Sequence, residues 1–300
     1  MTNEIIVIGS SNTDMVVKSK SLPRPGETIL GGTFLMNAGG KGANQAVAAA
    51  RLGGNVTLVT KVGKDIFGEQ SIAGFKKENI NTDFVFIDAT APSGTALIMV
   101  NEEGENCIVV APGANAQLLP ADIAGVKNIA DAAIILMQLE TPMETIEAVA
   151  KITKANDRQL IINPAPAQQL SDAVLNGLFL ITPNETEAAL LTGITVTDAA
   201  TASAAADIFL QKGVKNVIIT LGKQGAYFQN ATLRFTTPAP VVKAVDTTAA
   251  GDTFSGAIAV ALTENMLWEQ AVPFAVKAAS ISVTRMGAQA SVPYRKEMDT

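Results

Sequence analysis

The feature that most constrains the fold of this chain is a repeated alternation of short β-branched runs with alanine-rich segments of helical period. The β-branched runs predict strands at residues 5–8, 56–59, 133–137, 160–162, 178–181 and 217–220. The alanine-rich segments predict helices at residues 43–52, 66–78, 143–155, 199–212, 251–262 and 269–284. Repeated strand–helix–strand units indicate an α/β fold with a mostly parallel sheet and helices on both of its faces.

Two segments interrupt this alternation, at about residues 14–36 and 94–111. The first contains Pro23, Pro25 and Gly26, and the second turns at Glu103-Gly104 between two apolar stretches. Both patterns are typical of antiparallel strands joined by turns. We therefore predict a small antiparallel sheet that projects from the main one, inserted in a single domain spanning residues 1–300.

The absence of histidine restricts the chemistry of any active site. With no histidine and one cysteine, Cys107, the chain has no Ser-His-Asp triad, no histidine-bound zinc, no internal disulfide and no CxxC site. If the protein is an enzyme, its acid–base catalysis depends on carboxylates, lysines, Tyr227 or Tyr294.

Charge and hydropathy indicate the cellular setting. A net charge of −6 argues against nucleic-acid binding, which requires a basic face. No apolar run reaches the length of about 18 residues that a membrane span needs, and the first residues carry no basic signal region. We expect a cytoplasmic protein with no membrane partner.

The strongest candidate site runs from Asp246 to Phe254 and leads into a predicted helix. Ala249, Ala250 and Gly251 are small, so the N–H groups at the helix start are accessible to an anion. Asp252 follows in the first turn, where a carboxylate can accept a hydroxyl proton beside a bound phosphoryl group. The alternative is an ordinary helix start with small packing residues.

A second candidate is the glycine-rich stretch at residues 37–45, which opens the first predicted helix. Lys41 offers a positive charge and Asn44 an amide. No GxxxxGK[ST] motif is present, so this is not a P-loop. A tight turn into a helix is the alternative interpretation.

Further polar residues follow predicted strands. Asn12 and Asp14 come after the first strand, Glu140 follows another, and Asn184 and Glu187 follow Pro183. Ligands of parallel sheets bind at the carboxyl ends of the strands. Turn formation and helix capping are the alternatives for these residues, but their convergence at one sheet edge favours an enzyme.

These residues resemble the two signatures of the PfkB carbohydrate-kinase family, one at residues 39–44 with Gly53 and Gly63 behind it, the other at residues 246–256. The similarity extends from the first strand to residues 291–293. The resemblance implies a Rossmann-like α/β/α domain with a β-sheet lid. It also implies that the protein phosphorylates the 5-hydroxyl of D-ribose with ATP.

The resemblance also assigns roles residue by residue. Asp252 would be the catalytic base, and Ala249, Ala250 and Gly251 would form the anion hole. The residues implied to bind the sugar are Asn12, Thr13, Asp14, Gly40, Lys41, Gly42, Ala43, Asn44, Glu140 and Asp252. Those implied to bind the nucleotide are Asn184, Thr220, Leu221, Gly222, Lys223, Gln224, Gly225, Gly251, Asp252 and Val276.

Two cations complete the set implied by the family. Glu187 would order Mg²⁺ through water, and a K⁺ loop would comprise Asp246, Thr248, Ser282, Arg285, Gly287 and Ser291, for which a C-terminal turn is the alternative. The sequence departs from the pattern at Ala249, where glycine is frequent, and at Val276, where some relatives have a polar residue near adenine. The partners implied are a sugar and ATP, with a homodimer formed through the lid.

Other activities stay open on the sequence alone. A kinase of the same family could act on 2-deoxyribose, fructose or a nucleoside such as adenosine. Asn12, Asp14 and Glu140 favour a small polyhydroxylated sugar over a nucleoside. A non-catalytic sugar or nucleotide sensor is a further alternative, which the presence of Asp252, Gly251 and Glu187 disfavours.

Overall fold

The computed structural model describes residues 3–299 and contains two β-sheets. The strands are β1 (Glu4–Ile8), β2 (Asn12–Lys18), β3 (Thr33–Gly39), β4 (Asn55–Gly63), β5 (Val85–Asp88), β6 (Gly94–Val100), β7 (Asn106–Ala111), β8 (Ile134–Met137), β9 (Gln159–Ile162), β10 (Leu180–Ile181), β11 (Asn216–Thr220), β12 (Ala226–Asn230) and β13 (Arg234–Thr237).

The helices cover the long sheet and include all six predicted ones. They are α1 (Lys41–Arg51), α2 (Ile66–Lys77), α3 (Pro120–Ile123), α4 (Met143–Ala155), α5 (Asp172–Leu175), α6 (Glu185–Thr192), α7 (Ala199–Gln211), α8 (Ala250–Thr263) and α9 (Trp268–Ser282). Across residues 3–299, none is long and apolar enough to span a membrane.

The large sheet has nine strands in the order β13-β12-β11-β10-β9-β8-β1-β4-β5. The pairs from β11 to β5 are parallel, and β12 and β13 add an antiparallel edge. This arrangement confirms the predicted α/β fold.

The two faces of the large sheet carry separate apolar cores. Ile6 and Ile8 of β1 pack with α4 and α7, whereas Ile5 and Val7 pack with α1, α8 and α9. The first helix after β1, α1, therefore lies on one face of the sheet, and the first helix after the neighbouring strand β8, α4, lies on the other face. Such a switch point opens a crevice at the carboxyl ends of the two strands, where parallel sheets bind ligands.

The small sheet has four strands in the order β3-β2-β6-β7 and confirms the predicted inserted strands. It consists of two antiparallel pairs, β2 with β3 and β6 with β7, joined by a parallel pairing of β2 with β6. Its first pair begins at Asn12 and ends at Gly39, beyond the predicted bounds, so Asn12 and Asp14 lie within the sheet and not in a turn.

Candidate active site

Asp252 lies in the first turn of α8, and the start of this helix is open to ligands. The first intrahelical bond runs from the N–H of Thr253 to the carbonyl of Ala249 over 2.8 Å. The N–H groups of Gly251 and Asp252 precede that bond and point out of the helix start. A Cβ atom added at Gly251 would meet no atom within 4 Å. The helix start therefore presents accessible donors to an anion.

Two amides of α1 hold the carboxylate of Asp252. Asn44 Nδ2 donates to Oδ2 and Gln45 Nε2 donates to Oδ1, each over 2.9 Å. Asp252 is only 6% exposed. The two amides therefore satisfy oxygens that water reaches poorly, and they fix the orientation of the carboxylate.

Close helix packing brings these amides to Asp252. A Cβ atom at Gly256 of α8 would lie 2.7 Å from both the carbonyl oxygen of Gln45 and the Cβ atom of Ala48. Only glycine at position 256 lets α8 approach α1 this closely.

The beginning of α1 packs against the end of β1. A Cβ atom at Gly42 would lie 2.5 Å from the carbonyl carbon of Gly9, and the N–H of Ala43, which is fully buried, donates to the carbonyl of Ser10. Gly40 is the N-cap of α1 with φ of 87°. Gly42 and Ala43 thus pack the start of α1 against the end of β1, and their assignment to the sugar stays a prediction.

Glu140 joins the end of β8 to the start of α1. Its Oε2 atom accepts hydrogen bonds from Ser10 Oγ over 2.5 Å and from the N–H of Lys41 over 3.0 Å. The N-cap Gly40 has no side chain that could cap the helix. Glu140 therefore caps α1 from another element.

Asn12, Thr13 and Asp14 occupy successive positions of β2. Asn12 Oδ1 accepts a hydrogen bond from Asn115 Nδ2 over 2.7 Å, and Asp14 pairs with Asn37 of β3. Because side chains alternate along a strand, Thr13 lies on the face opposite Asn12 and Asp14. The assignment of Thr13 to the sugar stays a prediction.

Lys41 lies among carboxylates. Burial lowers the pKa of its ammonium group, but Asp252, Glu140, Glu187 and Asp14 outweigh burial and hold the pKa above its ordinary value. Lys41 is therefore a permanent positive charge between the predicted sugar and phosphate sides.

Asp14 is the carboxylate that this crowding affects most clearly. Burial raises its pKa to about 6, Glu140 and Asp252 contribute to the increase, and Lys41 opposes them. A ligand that donates hydrogen bonds to Asp14 would stabilise its ionised form.

A cavity of about 200 Å³ lies in front of the α8 start. It brings together eight of the predicted residues: Lys41, Asn184, Glu187, Thr220, Ala249, Ala250, Gly251 and Asp252. Asn184 and Glu187 also form a capping box at the start of α6, with reciprocal hydrogen bonds of 2.8 and 2.9 Å. Burial raises the pKa of Glu187, although the hydrogen bond from the N–H of Asn184 lowers it.

The predicted nucleotide loop is only partly exposed. Gly222, Lys223 and Gln224 are exposed beyond Thr220, whereas Leu221 and Val276 are 4% and 5% exposed and belong to the two cores. Gly225 turns the chain into β12 with φ of 100°. Val276 packs in the core and is not among the residues that line the cavity, and its apolar contact with the nucleotide stays a prediction.

Asp246 connects the two parts of the predicted cation loop. Its Oδ1 and Oδ2 atoms accept hydrogen bonds from the N–H groups of Thr248 and Gly287, both over 2.9 Å. Burial raises the pKa of Asp246, but these hydrogen bonds hold it below its usual value. The loop is thus fixed by an ionised carboxylate.

The other predicted cation-loop residues lie nearby in sequence around the end of α9. Ser282 and Ser291 are fully buried, and their hydroxyls donate to the carbonyls of Ala279 and Ala288. Arg285 forms an ion pair with Glu297. The guanidinium charge of Arg285 is thereby engaged, and only its backbone oxygen would suit a cation.

Several residues of the site were missed by the sequence analysis. Asn163, Ala165, Thr182, Thr247 and Ser255 also line the cavity. Asn163 and Thr182 directly follow two predicted strands, so the rule for strand ends could have identified them. Gln45 ends the candidate stretch at residues 37–45, but the sequence analysis assigned it no role.

Known proteins resemble the chain over nearly its whole length. The model of the pfkB family carbohydrate kinases matches residues 2–295. Ribokinase of Haemophilus influenzae is 43% identical over 298 residues, covering 99% of this chain and 97% of that protein. Deoxyribokinase of Salmonella typhi is 38% identical over 292 residues, covering 97% and 95%. The solved structure of Arabidopsis thaliana ribokinase complexed with ribose and ATP has a TM-score of 0.94 at 33% identity, covering 99% and 98%.

Proposed function

Because this chain belongs to the PfkB family of carbohydrate kinases, we propose that it transfers the γ-phosphoryl group of ATP to the 5-hydroxyl group of D-ribose, giving ribose 5-phosphate and ADP. The observation that carries this proposal is the position of Asp252, a buried carboxylate held by two amides beside the open start of α8. This arrangement places a proton acceptor next to a site for the transferred phosphoryl group.

The reaction that we propose needs a base and an anion site. Asp252 accepts the proton of the 5-hydroxyl, and the 5-oxygen forms a bond to the γ-phosphorus as the bond from that atom to the bridging oxygen breaks. ADP leaves with the bonding electron pair. The anion hole of Ala249, Ala250 and Gly251 stabilises the oxygens of the phosphoryl group during transfer.

The sugar is proposed to bind between the large sheet and the small one. Asp14 accepts hydrogen bonds from its hydroxyls, Asn12 and Glu140 Oε1 add further polar contacts, and Lys41 lies toward the phosphate side. The small sheet, residues 12–39 and 94–111, serves as the lid of one kinase domain.

Mg²⁺ is proposed to accompany ATP. Four carboxylates (Asp14, Glu140, Glu187 and Asp252) surround the ammonium group of Lys41, so an anionic nucleotide needs additional positive charge. Within residues 3–299, no group of three or more acidic or cysteine side chains could hold a metal ion directly. This fits Mg²⁺ held by phosphates and water, with Glu187 accepting from the water. When bound, Mg²⁺ would neutralise charge on the phosphates.

K⁺ is proposed to bind the loop of Asp246, Thr248, Ser282, Arg285, Gly287 and Ser291. The oxygens available there suit a hard monovalent cation, because the serine hydroxyls already donate elsewhere and the Arg285 guanidinium pairs with Glu297. A cation at this loop would fix the segment that leads into α8.

We also propose that the protein forms a homodimer and that it acts in the cytoplasm. Both faces of the lid carry exposed apolar side chains, including Phe34, Leu97, Ile108 and Val109. A small sheet cannot bury these by itself, which favours a homodimer formed through the lid. ATP as a substrate favours the cytoplasm.

The test is an assay of ADP release over a panel of pentoses, hexoses and nucleosides, with K⁺ and Mg²⁺ present. We expect D-ribose to give the highest kcat/KM. Because a deoxyribokinase is among the similar proteins, 2-deoxyribose is the second candidate, and a higher kcat/KM for it would replace ribose in the proposal. ATP and sugar binding without turnover on any panel member would indicate a sensor instead.

A further inference from the structure

We propose that Gln45 is a positioning residue for the general base: its side-chain amide orders the carboxylate of Asp252 without touching the substrate. This inference rests on the proposed kinase function. Gln45 is fully buried in α1 and does not line the cavity, so any effect it has on the reaction must pass through Asp252.

Every hydrogen-bonding group of the Gln45 amide is engaged. Its Nε2 atom donates to Asp252 Oδ1 over 2.9 Å and to Asn163 Oδ1 over 3.1 Å, and its Oε1 atom accepts from Gln138 Nε2 over 2.7 Å. An ionised carboxylate can only accept hydrogen bonds. The Gln45 amide must therefore face Asp252 with its Nε2 atom, and its Oε1 atom accepts the hydrogen bond from Gln138.

This network connects two helices, α1 and α8, with the ends of three strands of the large sheet. Asn163 follows β9 and donates in turn to the carbonyl of Thr182, which follows β10. Gln138 follows β8, and Gln45 lies on α1. The orientation of Asp252 is thus tied to the carboxyl ends of three neighbouring strands, which are rigid elements.

Gln45 differs from Asn44, the other amide that contacts Asp252. Among residues 3–299, Asn44 Oδ1 is buried without a hydrogen-bond partner, so the Asn44 amide is held at one end only, by its contact with Asp252. The Gln45 amide is held at both ends, by Asp252 and Asn163 at Nε2 and by Gln138 at Oε1. We therefore assign the more firmly fixed contact to Gln45.

A positioning role predicts an effect on the charge state of the base. The charged groups around the site are Lys41 on α1, Asp14 on β2, Glu140 after β8 and Glu187 on α6. A hydrogen bond donated to a carboxylate favours its ionised form, so removing the Gln45 donor should move the acidic limb of the kcat profile to higher pH.

The test is Gln45→Met, which keeps the length of the side chain and removes the amide. At saturating ribose and ATP we expect kcat to fall about 10- to 100-fold, because a displaced base is less effective. We expect the acidic limb of kcat to move up by about one pH unit. The same shift should persist in an Asp14→Asn background, which excludes Asp14 as its source.

Asn216→Leu is the matched control for loss of a buried amide. Asn216 Nδ2 donates to the carbonyl of Phe179, and its Oδ1 atom accepts from Asn230. Because this amide lies outside the cavity lining, Asn216→Leu should change kcat by less than about twofold and leave the pH profile unchanged.

If Gln45→Met does not fold, Gln45→Met/Gln138→Met replaces both hydrogen-bonding partners by apolar groups, which proteins tolerate better. Its acidic limb should also move. An unshifted pH profile in the folded variant overturns the inference, even if kcat falls, because that result describes a structural role alone. A wild-type protein with no turnover on any sugar overturns the proposed function instead.

Discussion

Asn44 Nδ2 lies 2.9 Å from Asp252 Oδ2 and connects residues that are 208 positions apart in the chain. The contact joins the two glycine-containing segments that the sequence analysis singled out, one at the start of α1 and one at the start of α8. The two segments therefore form one site, in which the first segment orients the proposed base of the second.

Asp252→Asn should reduce kcat about 10²- to 10⁴-fold, the usual effect of losing a general base. The variant should fold with nearly unchanged stability. Its new NH₂ group needs an acceptor, and Asn44 Oδ1, which is buried without a partner, becomes one when the Asn44 amide turns over.

Steady-state kinetics and urea unfolding of Asp252→Asn test both statements. The combined variant Asn44→Leu/Asp252→Asn is the control, because it removes the acceptor and should lose about 1–3 kcal/mol of stability relative to Asp252→Asn. Turnover within a few-fold of wild type would remove Asp252 from the role of base.

The layers of the fold followed from the sequence because the apolar runs and alanine-rich segments match strand and helix periods closely. The β12–β13 pair was missed because Ala226–Asn230 and Arg234–Thr237 are short and contain few β-branched residues. The parallel pairing of β2 with β6 was also missed, since sequence pattern does not specify which strands become neighbours.

Site residues could be predicted only where they belong to a short motif that is continuous in the sequence. Lys41 lies at a glycine-rich helix start and Asp252 at a helix start with small residues, and both patterns are visible in the sequence. Gln45 accepts a hydrogen bond from Gln138, which lies 93 residues away on another element. Such contacts depend on tertiary packing, so a single sequence cannot reveal them.

Activity should rise when K⁺ replaces Na⁺ at constant Mg²⁺. The reason is that Asp246 fixes both parts of the proposed cation loop and precedes the α8 start by only a few residues. Asp246→Asn should reduce the difference between the two salts. Equal rates of ADP release by the wild-type protein in K⁺ and Na⁺ would remove the monovalent cation from the proposed function.

Ala249→Gly should raise the free energy of unfolding by about 0.5–1 kcal/mol, because Ala249 has φ of 60°, which glycine adopts without strain. Ala250→Gly is the matched control. Ala250 begins α8, and glycine there should lower the free energy of unfolding by about 0.5 kcal/mol. Urea unfolding of both variants measures the two changes in the free energy of unfolding, which should have opposite signs. If Ala249→Gly is less stable than wild type, the backbone at Ala249 is not strained.

The protein should be a dimer at micromolar concentration, and Val109→Asp should shift it to a monomer. Val109 on β7 is 66% exposed, and a carboxylate there would be desolvated in a lid–lid interface. Leu267→Asp is the control: Leu267 is 68% exposed at the N-cap of α9, where aspartate is favourable. Light scattering measures the mass of each. A monomeric wild type contradicts the dimer and leaves the lid intact.

Asp14→Asn should weaken sugar binding and, at the same time, stabilise the protein above pH 6. A carboxylate accepts charged hydrogen bonds worth about 1.5–3 kcal/mol each, so its loss should raise the ribose KM about 10- to 1,000-fold, while the KM for ATP stays nearly unchanged.

The stability effect follows from the pKa of Asp14, which burial raises from 3.8 to about 6. The folded protein binds this proton more tightly than the unfolded chain, so wild-type stability falls as pH rises from 4 through 6. The asparagine side chain of Asp14→Asn stays neutral at every pH. The variant should therefore exceed wild type by about 1–3 kcal/mol at pH 8 and match it near pH 4.

Urea unfolding at pH 4 and pH 8 measures this difference, with Asp65→Asn as a control of opposite sign. Burial raises the pKa of Asp65, but hydrogen bonds from Ser93 and Gly68 outweigh burial and hold it below its usual value. Its ionised form therefore stabilises the fold, and Asp65→Asn should lose stability at pH 8. If Asp14→Asn is no more stable than wild type at pH 8, the ionised carboxylate of Asp14 does not destabilise the free protein. A variant that binds ribose normally and ATP poorly would instead assign Asp14 to the nucleotide side.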